Sequence, residues 1–154
     1  MILDKDYENR FEISHNPKTP PETLVKLSKD KNNVIRQGVG CHPSTPPETL
    51  AKLANDRNRH VRQQVAKNSN TPPEILKKLA DDKNCWTGVS VAMNKNTPAE
   101  TLKKLAQDED EVIRWIVAKN YNTPVSLLKK LAEDENKDIK EMAKRNINER
   151  KKIK

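Results

Sequence analysis

The chain has 154 residues, 34% charged and only 3% aromatic, with a formal net charge of +8 and a mean hydropathy of −0.98. No stretch approaches the ~18 apolar residues of a membrane span, and the start Met1-Ile2-Leu3-Asp4-Lys5-Asp6 lacks the basic-then-apolar build of a signal peptide. Two cysteines, Cys41 and Cys85, make no disulfide framework, so a soluble cytoplasmic protein is expected.

A chain this polar is either disordered or built from helices that each bury a narrow stripe. Fixed spacing decides for helices. Residues 1–16 read as the second half of a repeating unit: Arg10 falls in the column of Arg36, and Ile13 in that of Val39. Five complete 26-residue units follow, at 17–42, 43–68, 69–94, 95–120 and 121–146. Thr19, Thr45, Thr71, Thr97 and Thr123 each precede a proline. Leucines recur at 24, 50, 76, 102 and 128, and again at 27, 53, 79, 105 and 131. Residues 147–154 form a basic tail.

Within each unit the first predicted helix opens on Thr-Pro-Pro-Glu, as at Thr19–Glu22, or on a close variant. That is the pattern of a capping box, with Pro at a position whose amide has no helical partner. The fifth unit departs from it, with Ser126 in place of the glutamate. The second helix starts after Asn32, Asn58, Asn84, Asp110 and Asn136, which are N-cap residues. Its stripe reads Ile35/Val39, Val61/Val65, Thr87/Val91, Ile113/Val117 and Ile139/Ala143. It is short, with room for 3₁₀ geometry. It ends at His42, Asn68, Asn94, Asn120 and Asn146, where asparagine suits a left-handed turn. Neither helix persists alone in water, so stacking must supply the burial. The expected fold is therefore an all-α solenoid of five two-helix repeats with an N-terminal half-repeat.

The pattern Thr-Pro-Pro-Glu-x-Leu-x-x-Leu-Ala-x-Asp, then Val-Arg-x-x-Val-Ala-x-Asn, resembles the leucine-rich-repeat variant family, a relative of the HEAT and armadillo solenoids. Thr45–Asn68 carries it most fully, through Val61-Arg62 and Val65-Ala66-Lys67-Asn68. The resemblance implies paired short helices, the second often 3₁₀, wound as a right-handed superhelix. The clustered cysteines of an iron–sulfur module, which some members carry, are missing from this sequence. No cofactor and no partner identity is implied.

Candidate chemistry is sparse. Three glycines make no phosphate loop, no nucleophile stands beside a recognisable base, and His15, His42 and His60 lack metal spacing. No enzyme activity and no metal are expected. Arg10, Arg36, Arg62 and Arg114 each lie in one column, and Asp30/Arg36 and Asp108/Arg114 are six residues apart. This suits a structural Asp–Arg ladder between units better than phosphate tracking, and Gly88 interrupts it in unit three. Lys26, Lys52, Lys78, Lys104 and Lys130 form a complete column at the stripe's edge. They are either snorkelling stems or a phosphate-binding face.

The informative departures are apolar. On one face of the second helix, units one and two present Val34, Gln37, Cys41 and His60, Gln63, Lys67, whereas unit five presents Asp138, Glu141, Arg145. Units three and four place Trp86, Val89, Met93 and Val112, Trp115, Lys119 there, and the candidate partner-binding residues are the five apolar ones. Aromatic and Met enrichment marks binding hot spots. The alternative is a locally thicker core. The leading expectation is a non-catalytic scaffold that binds a protein or peptide on this patch. The alternative is nucleic-acid binding through the lysine and arginine columns and the basic tail.

Overall fold

The computed structural model describes residues 5–152, and these form eleven α-helices. In chain order they are α1 (Lys5–His15), α2 (Pro21–Leu27), α3 (Asn33–Cys41), α4 (Pro47–Leu53), α5 (Arg59–Lys67), α6 (Pro73–Leu79), α7 (Cys85–Met93), α8 (Ala99–Leu105), α9 (Glu111–Lys119), α10 (Val125–Leu131) and α11 (Lys137–Lys152). The chain falls into two compact units that divide at Ile75/Leu76, within α6. In the first, α3 packs between α1 and α5, and α2 and α4 lean on these second helices. In the second, α9 packs between α7 and α11, with α8 and α10 against them.

The seven-residue first helices bury their leucines, with Leu27 of α2 the exception. Leu24 and Leu50 in the first unit, and Leu76, Leu102 and Leu128 in the second, are fully buried. Leu53, Leu79, Leu105 and Leu131 are buried as well. Leu27 is only half-buried. Its repeat is preceded by α1 alone, which occupies the place of a second helix, so no described first-layer helix covers Leu27 from that side. The second helices bury Ile35, Val39, Val61 and Val65 in one unit, and Val91, Ile113, Val117 and Ile139 in the other. These helices are α throughout, nine residues in α3, α5, α7 and α9, so the room left for 3₁₀ geometry is not used.

The capping box does not form. The N-cap of α2, α4, α8 and α10 is the first proline (Pro20, Pro46, Pro98, Pro124), with no side-chain cap bond. The threonine hydroxyl points the other way. Thr19 Oγ1 donates to the Ile13 carbonyl at 2.5 Å, Thr45 to Val39 at 2.6 Å, Thr97 to Val91 at 2.6 Å and Thr123 to Val117 at 2.6 Å. The carbonyls at a helix C-terminus have no intrahelical partner. The buried threonine therefore closes the preceding helix instead of opening the next.

The second-helix caps do form. Asn32, Asn58, Asn84, Asp110 and Asn136 accept from the amides of Val34, His60, Trp86, Val112 and Asp138 at 2.8–2.9 Å. The asparagines at the other end act differently from the left-handed turn expected of them. Asn68 and Asn120 have φ of −66°, and no non-glycine φ is positive among the described residues. Asn68 Nδ2 donates to the Gly40 and His42 carbonyls of the previous repeat, both at 2.9 Å, while its Oδ1 accepts from the Asn70 amide. Asn120 reaches Ala92 and Asn94, and Asn146 reaches Ala118 and Asn120, in the same manner. The column is a buried amide ladder. His42 stands in for asparagine: its Nδ1 accepts from the Ser44 amide, which leaves Nε2–H to donate to the Asn16 carbonyl at 2.8 Å.

Candidate partner-binding surface

The Asp–Arg column is structural at Arg10, Arg36 and Arg114. Arg36 Nε and Nη2 bind both carboxylate oxygens of Asp56 at 2.6 and 2.9 Å, and Nη1 donates to the Asp30 carbonyl at 2.7 Å. Arg114 repeats this on Asp134 and the Asp108 carbonyl. Arg10 meets Asp30 at 2.7 Å. With a second carbonyl contact from Nη1, to Lys31 and Glu109 respectively, the fork and the carbonyls commit four of the five guanidinium N–H donors, so Arg36 and Arg114 serve packing between repeats. Burial pushes the Asp56 and Asp134 carboxyls up. The hydrogen bonds from Arg36 and Arg114, those from the Asn58 and Asn136 amides, and the arginine charges outweigh it, and both carboxyls titrate below the ordinary value. Gly88 leaves this position empty of a cation, and Asp108 has no arginine from that side.

The lysine column lies on the surface. Lys26, Lys52, Lys78, Lys104 and Lys130 are all exposed, and Lys104 pairs with Asp81. The sequence's basic tail is largely helical, since α11 runs on to Lys152. Arg150 in it is committed: it donates to Asn146 Oδ1 and to the carbonyls of Thr123, Asn120 and Tyr121.

The apolar departures on α7 and α9 lie at the surface of the second unit. Trp86 is 60% exposed, Met93 66% and Val112 48%, while Val89 and Trp115 are half-buried. They do not all share one recess. Met93 and Trp115 line a recess of about 340 Å³ together with Ile116, Lys119, Lys95 and Tyr121. Trp115 is a shared wall: Val112 lies with it in a second recess, of about 250 Å³, and a third, beyond it, is lined by Asp138, Glu141, Met142 and Arg145. Trp86 and Val89 line none of these three. Lys119 Nζ sits 5.2 Å from the Trp115 ring centroid, a cation–π contact between two residues that line the first recess. Tyr121, 67% exposed, donates its hydroxyl to Glu149 at 3.4 Å, and Arg145 holds the same carboxylate at 2.8 Å.

Sequence reasoning missed Lys95 and Tyr121. Both sit in the turn column Pro43, Ser69, Lys95, Tyr121, where a lone aromatic was the available signal. Asn122 Nδ2 donates to the Lys95 carbonyl, and this bond joins the two turns.

Among the described residues no group of three or more His, Cys, Asp or Glu side chains could hold a metal, and no helix is long and apolar enough to cross a membrane. Residues 59–84 match the family described as leucine rich repeat variant. A solved structure described as a leucine-rich repeat variant with a novel repetitive protein structural motif is similar over 89% of this chain, at 25% identity and a TM-score of 0.63. Residues 59–84 thus carry a unit of the leucine-rich-repeat-variant type, and the chain resembles a solved member of that family in fold. It covers 61% of the length of that solved chain.

Two further structures resemble this chain in fold. An engineered protein matches at 16% identity, 96% and 92% coverage and a TM-score of 0.52. A designed armadillo repeat protein in complex with peptide (KR)4 matches at 17% identity, 95% and 92% coverage and a TM-score of 0.55. With eleven helices and such neighbours, the fold class is the α-solenoid. No curated protein matches the chain.

Proposed function

We propose that this repeat protein is a non-catalytic scaffold that holds a protein or peptide on the α7–α9 surface around Trp115. The observation that carries the reading is the exposure of Trp86, Met93 and Val112 at columns that hold His60, Lys67 and Asp138 in other repeats. Large exposed apolar side chains cost solubility and contribute little to a fold that other repeats build without them. A neighbour of the same fold class, the designed armadillo repeat protein, is itself a peptide complex.

The test is affinity capture with wild type beside the Trp86→Ala/Trp115→Ala double variant, with circular dichroism of both. Lost capture with helix content nearly intact is the expected result. If each single variant unfolds, the tryptophans are core and the reading falls.

Nucleic-acid binding is the competing reading, supported by the five exposed lysines. Titration against duplex DNA at two salt concentrations separates the two. Phosphate contacts lose affinity with a slope near −0.9 per contact, and an apolar patch does not.

A further inference from the structure

The charge around Trp115 differs from one side to the other. In the recess shared by Met93, Ile116 and Tyr121, the ionisable walls are Lys95 and Lys119, and no carboxylate lines it. On the far side of Trp115 the wall carries Asp138 and Glu141 beside Arg145. Glu149 accepts from the Tyr121 hydroxyl, and Arg145 already pairs with that carboxylate. Both lysines are exposed, and Lys119 stands over the Trp115 indole. The volume of about 340 Å³ is at the small end of the ~300–1,000 Å³ typical of ligand sites. That suits one or two bulky side chains rather than a folded domain.

Resting on the scaffold reading, we infer that the occupant of this recess is a short acidic peptide segment. A bulky apolar side chain enters between Met93 and Trp115, and flanking carboxylates meet Lys95 and Lys119. The apolar floor supplies affinity, since it removes hydrocarbon from water on both partners. The lysine rim supplies sign: a carboxylate beside the apolar anchor gains two cationic partners, and a basic segment meets like charge. The acid–base division at Trp115 also gives the segment a direction. Its carboxylates lie toward the α7–α8 and α9–α10 turns, away from Asp138 and Glu141.

The test uses three fluorescein-labelled, end-capped peptides, Glu-Glu-Leu-Phe-Glu-Glu, Ser-Ser-Leu-Phe-Ser-Ser and Lys-Lys-Leu-Phe-Lys-Lys, read by fluorescence anisotropy against the whole chain. The acidic peptide should bind about tenfold more tightly than the basic one, a preference of the size that two exposed charge pairs can set. The Lys95→Glu/Lys119→Glu variant should reverse the order, an outcome that an unfolded protein cannot produce. Equal binding of all three peptides, abolished by Trp115→Ala, overturns the charge assignment and leaves the scaffold reading standing. Preference for the basic peptide by the wild type, or a preference that the variant leaves unchanged, overturns it as well. Absence of binding by any of the three peptides overturns the inference, and the capture experiment above then judges the scaffold reading by itself.

Discussion

Gly38 shows how closely the helices of the first unit approach. A Cβ placed there would lie 2.5 Å from Ser14 Oγ, 2.8 Å from His15 Cε1 and 3.0 Å from Ser14 Cβ. Ser14 is fully buried, with its hydroxyl donating to the Phe11 carbonyl at 2.8 Å, and its own Cβ is too near for rotation to relieve the clash. Glycine costs a helix interior about 0.5–1 kcal/mol relative to alanine, so its presence here is decided by the approach of α1 to α3. Gly40, one residue pair further on, meets Gln64 Cβ at 3.3 Å, and its column holds Ala66, Ala92 and Ala118 elsewhere. Gly38→Ala should therefore lower stability by about 1–3 kcal/mol through overpacking, and Gly40→Ala should cost clearly less. Urea unfolding of the two variants beside wild type measures the difference. Equal effects would remove the close approach as the cause.

Between elements, α7 lacks the arginine fork that binds α3 to Asp56 and α9 to Asp134. The gap follows from Gly88, whose added Cβ would meet only Ile113 Cδ1, at 3.1 Å. That atom is the end of a flexible chain and can yield. Gly88→Arg should raise the melting temperature twice over. It removes a helix-interior glycine worth about 1 kcal/mol and gives Asp108 the bidentate partner its column has in other repeats. In an Asp108→Asn background only the glycine part of the gain should survive, and thermal melts of the four proteins complete the cycle. A gain unchanged by Asp108→Asn would mean that no fork forms.

The same comparison of columns shows what the sequence could tell. Repeat length, helix pairing, the Asn32-type caps and the Asp–Arg link all follow from residue type at fixed offset. The Thr19-type hydroxyl was misassigned because the capping box and the back-bond to a carbonyl six residues earlier need the same residue, and only the path of the turn selects between them. Asn68 was misassigned for a related reason, since its amide partners lie in another repeat. On the surface, columns that are polar elsewhere singled out Trp86 and Met93 but left exposed site and thicker core open, and the structure exposes both side chains. The recess did not, because Lys95 and Tyr121 reach it from turns.

Across the whole molecule, ion pairs between repeats tie stability to acid. In the first unit Asp56 holds Arg36, and in the second Asp134 holds Arg114, each on side chains no more than 13% exposed. Both carboxyls titrate below the ordinary value when folded. A depressed carboxyl contributes its full stabilisation above the unfolded value of about 3.9 and loses it as pH falls through the lower folded value. The arginines are shifted upward, so their contribution is lost only above about pH 12, outside the working range. Wild type should therefore keep a level melting temperature from neutrality down to about pH 4–5 and lose it steeply below. Asp56→Asn/Asp134→Asn should melt lower at neutral pH, because each leaves an arginine without its fork. Its acid limb should be shallower, and the two curves should converge once pH has fallen through the folded-state values of Asp56 and Asp134, where wild type has protonated the same groups. Curves that stay parallel through the acid range would place the acid sensitivity in other carboxylates and leave the ladder a matter of geometry alone.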